Sequence, residues 1–177
     1  MYTRDHVVAC IGAVILAACA TQTGPAGPDL GRAASAEEIA ARDISIPPSG
    51  AGLPAGAGTA RQGAAVYAAK CVSCHGDKGA GKPADPLAGG IGTLATAKPV
   101  RTVGSYWPHA TTLFDYVRRA MPLREPLSLT NDEVYAVSAY VLWLNGIVRE
   151  DERMDAKTLP LVKMPNRDGF VDEWSKR

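Results

Sequence analysis

Several features that are common in proteins are scarce or missing in this sequence, and each absence argues against some classes of protein. The chain has 177 residues, and its 19 Lys and Arg balance 18 Asp and Glu to a formal net charge of +1. Such a balance supplies no excess of positive charge for a nucleic acid or for a strongly acidic partner. The apolar run at 7–18 is too short to span a bilayer comfortably, although hydrophobic residues make up a normal 46% of the chain.

Cysteine is also scarce, and its four residues separate into two groups. Cys10 and Cys19 lie in or at the end of the N-terminal apolar run, whereas Cys71 and Cys74 are two residues apart in the middle of the chain. No pair is left over for a structural disulfide. A small core without disulfides needs another source of stability, such as a covalently bound group.

The central pair belongs to the pentapeptide Cys71-Val72-Ser73-Cys74-His75, which has the CxxCH pattern of a c-type haem attachment site. In this chemistry each thiol adds to one haem vinyl group, and the adjacent histidine binds the iron. A CxxC alone also suits a zinc site or a redox dithiol. No second CxxC or HxxxH occurs in the chain, so the motif predicts one covalent haem c, held by Cys71 and Cys74 with His75 as an iron ligand.

Residues 1–19 have the pattern of an export signal, with Arg4 ahead of the apolar run. The run ends in Leu16-Ala17-Ala18-Cys19, which resembles a bacterial lipobox, in which the cysteine is lipidated and becomes the mature N-terminus. This resemblance predicts a periplasmic lipoprotein anchored to the membrane through Cys19. The alternative is cleavage at the small-x-small sequence Ala18-Cys19-Ala20, which would give a soluble periplasmic protein.

Composition divides the remainder of the chain into three parts. Residues 20–58 are rich in Pro, Gly and Ala, which predicts a flexible linker. Residues 59–147 contain the haem motif and the periodic apolar segments, and we expect them to form the compact domain. Residues 148–177 form a C-terminal extension whose Phe170 and Trp174 predict docking, either on the domain or on a partner subunit.

Helical patterns stand at both ends of the compact domain. The first helix is predicted over 60–70, where Gly63 and Tyr67 share a face. The last begins at the capping box 130–133 and ends at Asn145-Gly146. This arrangement resembles class I cytochromes c, in which the two terminal helices cross at such a Gly/aromatic pair. The resemblance implies an all-α class I cytochrome c fold, with roughly three to five helices around one covalent haem.

A short amphipathic helix is predicted before Met121-Pro122, where the proline stops it. Met121 lies 46 residues after His75 and is the predicted sixth iron ligand. A thioether ligand favours reduced iron and raises the potential. The alternatives are Met154 in a charged stretch, Met164 beyond the predicted core, and His109, which would give two histidine ligands and a lower potential.

Other residues are expected around the haem. In class I cytochromes a proline carbonyl accepts the Nδ1–H of the ligand histidine, and Pro86 is the first candidate here, with Pro83 second. Tyr106 and Trp107 have polar tips that suit a haem propionate, although a plain core role is an equal alternative. We retain Trp107 as a predicted cofactor-binding residue.

Basic residues outnumber acidic ones around the motif. Between 61 and 101 there are six basic residues against Asp77 and Asp85. One interpretation is a positive rim at the haem edge that steers an acidic redox partner. The other is a solvated loop face without a partner.

Several longer strings carry a narrower resemblance. They are Ala97-Lys98-Pro99-Val100, Gly104-Ser105-Tyr106-Trp107-Pro108, Thr111-Thr112-Leu113-Phe114-Asp115-Tyr116, Arg119-Ala120-Met121-Pro122, Leu129-Thr130-Asn131-Asp132-Glu133-Val134-Tyr135-Ala136 and Lys163-Met164-Pro165-Asn166-Arg167-Asp168-Gly169-Phe170. Over residues 60–170 the chain thereby resembles the cytochrome c subunits of sulfite and sulfane dehydrogenases.

That resemblance implies a partner. The catalytic subunit of such enzymes holds a molybdopterin cofactor and oxidises a sulfur substrate, and the cytochrome passes single electrons to a downstream cytochrome or oxidase. The cytochrome of the sulfane dehydrogenase commonly has two haems, whereas this chain has one CxxCH. A monohaem partner of a sulfite-oxidase-like enzyme therefore fits better.

The expected function is electron transfer, and the chain by itself is not expected to be an enzyme. A generic carrier for another periplasmic dehydrogenase or oxidase is the first alternative. A haem enzyme with a labile sixth ligand and a sensory or assembly lipoprotein are the others.

Overall fold

The structure is a computed structural model in which residues 30–171, 173 and 174 are described. The predicted signal and Cys19 lie outside these residues. The chain divides into two units, one up to Asp43 and one from Ile44 onwards. No helix in the described ranges is long and apolar enough to cross a membrane.

The described part of the first unit contains one short helix, α1 (Ala36–Ala40). Ser35 and Glu38 cap its N-terminus in a reciprocal capping box. Arg32 forms an exposed ion pair with Glu38. None of the residues of α1 is buried, so this helix depends on local hydrogen bonds.

The second unit holds the helical domain. Its helices are α2 (Ala60–Lys70), α3 (Val72–His75), α4 (Val103–Tyr106), α5 (Ala110–Ala120) and α6 (Asn131–Leu144). Two short strands, β1 (Ala57–Gly58) and β2 (Met154–Asp155), pair antiparallel. Short 3₁₀ turns occupy Asp77–Gly79 and Leu159–Leu161. The predicted all-α class I cytochrome c fold is confirmed.

Helices α2 and α6 cross at a glycine, as the sequence predicts. Gly63 is buried, and a Cβ atom added there would overlap the backbone of Ala136. One turn further along α2, the ring of Tyr67 packs against Tyr140 with centroids 5.1 Å apart. The glycine permits the close approach, and the aromatic pair fills the space where the helices diverge.

Helix α6 is buried over most of its circumference. The buried positions include Val134, Tyr135, Val137, Ser138 and Leu142. A helix that is apolar on most sides is buried on most sides. On a second face of α6, the ring of Tyr135 lies 4.4 Å from that of Phe114 in α5, measured between centroids.

The predicted linker at 20–58 is wrong for residues 44–58, which pack on the helical domain. Ile46 is buried in the core, and its N–H donates to Asp115 at 2.9 Å. The Tyr135 hydroxyl donates to the Pro54 carbonyl at 2.9 Å. Such a segment has few hydrogen-bond donors and little apolar side-chain surface of its own. Side chains of the helices satisfy its backbone groups, which composition does not reveal.

The C-terminal extension was predicted to dock on the domain or on a partner. In the structure, Met154, Leu159 and Met164 are buried within the same core as α5 and α6. Strand β2 also pairs with β1, so the segment after α6 is hydrogen-bonded to the segment before α2. Residues 148–164 therefore belong to the domain core, beyond the predicted boundary at 147.

The crossing at Gly63 leads to a stability prediction. In the haem-loaded protein we expect Gly63→Ser to lower the free energy of unfolding by about 1–3 kcal/mol or more, because the new side chain overlaps the Ala136 backbone. Urea denaturation monitored by circular dichroism measures this loss. Ala65→Ser is the matched control, since it introduces the same residue at an exposed position of α2 and should cost less than about 0.5 kcal/mol. Equal losses in the two variants would contradict the close crossing.

Candidate functional site

The CxxCH motif forms a tight helical turn directly after α2. Cys71 ends α2, and the N–H groups of Cys74 and His75 donate to its carbonyl at 3.1 and 2.9 Å. Cys71 is partly buried and Cys74 is exposed. The Tyr67 hydroxyl donates to the Gly76 carbonyl at 2.8 Å, so the same ring that packs on α6 also fixes the end of this turn.

The loop after the motif folds back on it. The N–H of Gly81 donates to the His75 carbonyl at 2.8 Å, and that of Ala84 donates to the Cys74 carbonyl at 2.9 Å. At Gly76 the backbone has a φ of 70°, and an added Cβ atom would overlap the Gly81 carbonyl. Only glycine adopts this turn without strain.

An apolar cavity of about 420 Å³ lies beside the motif. Its walls come from α2, α5, α6 and the intervening loops, and aliphatic and aromatic side chains make up most of them. The residues lining it that were predicted to hold or contact a cofactor are Cys71, His75, Pro86, Trp107 and Met121. A thiol, an imidazole and a thioether in one apolar cavity form a donor set that fits a covalently attached haem.

The cavity lining separates Met121 from its rivals. Met121 follows α5 and its side chain lines the cavity. Met154 and Met164 are buried in the core of the domain and do not line the cavity, and neither does His109, which precedes α5. The position favours Met121, and its role as the sixth iron ligand stays a prediction.

The hydrogen-bond partner of His75 differs from the expected one by a single residue. His75 Nδ1 lies 3.4 Å from the carbonyl oxygen of Asp85, whereas Pro86 was predicted to supply that oxygen. The residue before a proline is restricted to extended conformations, which turn successive carbonyls to opposite sides. The Asp85 carbonyl faces the imidazole, so the next carbonyl along the chain points elsewhere, and Pro86 forms part of the cavity wall.

Trp107 lies where the sequence suggested, in the wall of the cavity. Its ring packs edge-on against Tyr116, with centroids 5.8 Å apart, and Tyr116 also lines the cavity. The structure thus gives Trp107 a packing contact at the site. Its predicted hydrogen bond to a propionate stays a prediction.

The environment of Cys71 bears on the zinc and dithiol alternatives. Burial raises the pKa of the Cys71 thiol to about 11, although the neighbouring Lys70 opposes the rise. A redox dithiol acts as a thiolate, which this environment disfavours at neutral pH. Moreover, within the described ranges no group of three or more His, Cys, Asp or Glu residues is placed to hold a metal ion.

Two of the six basic residues around the motif are engaged in ion pairs. Arg61 pairs with Glu150, and Lys70 pairs with Glu133, each at 3.5 Å. These two residues therefore contribute less to a positive rim than the sequence suggested. Arg101 is different, since it lines the cavity itself.

Asn145 connects parts of the cavity wall by hydrogen bonds, whereas the sequence pattern predicted it only as the end of a helix. Its side chain is buried, its Oδ1 accepts from the Gly89 N–H at 3.0 Å, and its Nδ2 donates to Leu87 and Val141 at 3.1 and 2.9 Å. Leu87 and Val141 both line the cavity. Asn145 therefore joins the loop on one side of the cavity to the helix on another. A buried asparagine has no distinctive sequence signal.

Comparisons with known proteins agree with this geometry. Residues 58–141 match the family model described as cytochrome c oxidase, cbb3-type, subunit III. The chain also matches a chain in the crystal structure of the sulfane dehydrogenase SoxCD from Paracoccus pantotrophus, with 41% identity and a TM-score of 0.76. The match covers 84% of this chain and 74% of that one. No curated protein matches the sequence.

The contacts of Asn145 predict a specific defect. We expect Asn145→Ala to lower the free energy of unfolding of the haem-loaded protein by about 2–4 kcal/mol, because it leaves the Gly89 N–H and the Leu87 carbonyl without their hydrogen-bond partner. Thermal unfolding measures the cost, and amide hydrogen exchange at Gly89 should accelerate. Asn131→Ala is the matched control, since that asparagine, at the start of α6, makes one hydrogen bond at an exposed site. Unchanged exchange at Gly89 would contradict the assigned role.

Proposed function

The chain belongs to the c-type cytochrome family, and from that premise we propose that it carries single electrons from a molybdenum-containing sulfite or sulfane dehydrogenase subunit towards the respiratory chain. The cytochrome c domain is an electron-transfer domain, structurally related to a chain of the SoxCD sulfane dehydrogenase. Our proposal adds the identity of the electron donor and the direction of electron transfer.

The extent of the SoxCD match is the observation that carries the proposal. The family model covers only residues 58–141, whereas the SoxCD match covers 84% of the chain. The packed segments 44–57 and 148–164 lie outside the family model, so the longer match draws on features that go beyond a general cytochrome c domain. We infer that the chain serves an enzyme of the same chemical class as that relative.

Residues around the cavity suit a cofactor that exchanges electrons without other chemistry. When bound, the haem would supply a one-electron couple between ferric and ferrous iron. Cys71 and Cys74 would hold it covalently, and His75 and Met121 would ligate the iron. Apolar side chains such as those of Leu113 and Val137 would surround the haem and limit its contact with water. Two protein ligands and a mostly apolar lining would limit reorganisation when the charge changes.

We also propose that the protein is exported and anchored through a lipid on Cys19. Covalent haem attachment requires export of the chain, and the sequence Leu16-Ala17-Ala18-Cys19 suits lipidation. Soluble periplasmic release after cleavage near Ala20 is the alternative. A downstream cytochrome or oxidase would then receive the electrons at the membrane.

The ligand assignment predicts the behaviour of Met121→Ala. The haem should stay attached through Cys71 and Cys74, while the far-red thioether-to-iron absorption band disappears, the midpoint potential falls and carbon monoxide binds. Absorption spectroscopy and a redox titration check these changes. Met164→Leu is the control, because this buried methionine does not line the cavity and its replacement should preserve the band. A haem enzyme with a labile sixth ligand is indicated instead if the unaltered protein lacks the band and binds carbon monoxide.

The donor assignment is tested by rapid mixing. Oxidised cytochrome mixed anaerobically with a purified sulfite dehydrogenase and sulfite should be reduced rapidly. Because sulfite oxidation releases an electron pair, each sulfite should reduce a pair of cytochrome molecules. The controls omit the enzyme or sulfite. Reduction that is no faster than in the controls, with a sulfite and with a sulfane dehydrogenase, would contradict the proposed donor and favour the generic carrier.

A further inference from the structure

Arg101 is the only cation among the described residues that line the cavity. We propose that the C-terminal segment 164–170 positions Arg101, through Tyr106, to bind a carboxylate of the haem and thereby raises the midpoint potential. This inference rests on the proposed haem site. It assigns to the extension a role at the cofactor that neither the motif nor the fold family requires.

A carboxylate of the haem needs a charged partner in this cavity. A carboxylate is costly to bury in an apolar cavity unless a charged partner compensates. Asp85 is the one acidic residue in the described lining, and its carbonyl lies at His75. A haem carboxylate would be repelled by the charge of Asp85 and attracted to that of Arg101. A guanidinium binds a carboxylate through two parallel hydrogen bonds, so its orientation matters as well as its charge.

Arg101 is oriented by the ring of Tyr106. Its side chain is exposed, and it forms no ion pair with another described residue within 4.0 Å. The guanidinium carbon instead lies 5.5 Å from the centroid of the Tyr106 ring, within the range of a cation–π contact. Tyr106 therefore reduces the freedom of a long side chain at the edge of the cavity.

Tyr106 is held by residues of the C-terminal segment 164–170. Its ring packs edge-on against Phe170 with centroids 5.3 Å apart, and its carbonyl accepts a hydrogen bond from Asn166 Nδ2 at 2.7 Å. These contacts come from one segment of the extension, and they grip the ring and the backbone of the same residue. Helix α4, which ends at Tyr106, also carries Val103 in the cavity wall.

The segment itself is anchored in the core. Met164 is only 3% exposed, and its carbonyl accepts from the Arg167 N–H at 3.1 Å. Gly169 then donates to the Asn166 carbonyl at 3.2 Å, which folds the segment so that Asn166 and Phe170 both face Tyr106. Phe170 is half-exposed, so its contact with Tyr106 contributes little to the core.

These contacts connect the extension to the charge at the cofactor. A guanidinium near the haem, or one that neutralises its carboxylate, favours the reduced form, in which the iron carries less positive charge. If Phe170 is removed, Arg101 gains freedom and this effect weakens. The midpoint potential should therefore fall when either residue is altered, and the two effects should depend on each other.

The test is a double-mutant cycle on the haem-loaded full chain. Midpoint potentials are measured by spectroelectrochemistry for Arg101→Gln, Phe170→Ala and the double variant. We expect Arg101→Gln to lower the potential and Phe170→Ala to lower it by a smaller amount. The double variant should match Arg101→Gln alone, because the ring then has no guanidinium to position.

Two further variants separate positioning from general loosening. Phe170→Tyr keeps the ring and should retain the wild-type potential. Val171→Ala truncates the next exposed apolar side chain and should also leave the potential unchanged. An unchanged potential in Phe170→Ala, or a double variant equal to the sum of the single effects, would overturn the inference. In either case, a haem that is attached and has an intact thioether-to-iron band remains consistent with the proposed function. A wild-type chain that attaches no haem would contradict the proposed function as well as this inference.

Discussion

The contact of Gly63 with the backbone of Ala136 determines the position of the whole site. It holds α2 against α6 at a separation that no other residue type permits. Since α2 runs directly into Cys71, the attachment turn inherits its position from this crossing. Val137, one residue beyond the contact on α6, lines the cavity. The covalent anchor and one wall of the cavity are thus fixed by a single interhelical contact.

The opposite wall depends on α5 in the same way. Phe114 packs on Tyr135 of α6, and Met121 follows the end of α5 with its N–H bonded to the Val117 carbonyl. Helix α6 therefore supports both His75 and Met121 through separate partners. As the proposed iron ligands, two residues supported by one buried helix would keep their spacing when the charge on the iron changes, which suits electron transfer better than ligand exchange.

The helices and the attachment motif follow from local patterns, and the sequence predicts them well. Capping boxes, a Gly/aromatic pair and a CxxCH are all short-range signals, and each appears at its predicted place. The packing of 44–58 could not be predicted in this way. The composition of Pro54 and its neighbours is the same in a packed segment as in a flexible linker, and their hydrogen-bond partners lie in helices that are distant in sequence. The same holds for Asn145, whose bonds to Leu87 and Gly89 join residues far apart in sequence. The carbonyl that faces His75 depends on one backbone orientation in a loop, which side-chain identity does not encode.

The pairing of β1 with β2 explains how an extension comes to reach the cofactor site. It joins the segment before α2 to the segment after α6, so the chain leaves the core at a fixed place. From there Leu159 and Met164 stay buried, and the next residues extend to Tyr106 at the edge of the cavity. An electron carrier gains from this arrangement, because charges placed by an anchored segment cost little reorganisation during transfer. The extension is thereby part of the electrostatic environment of the site, in addition to its place in the core.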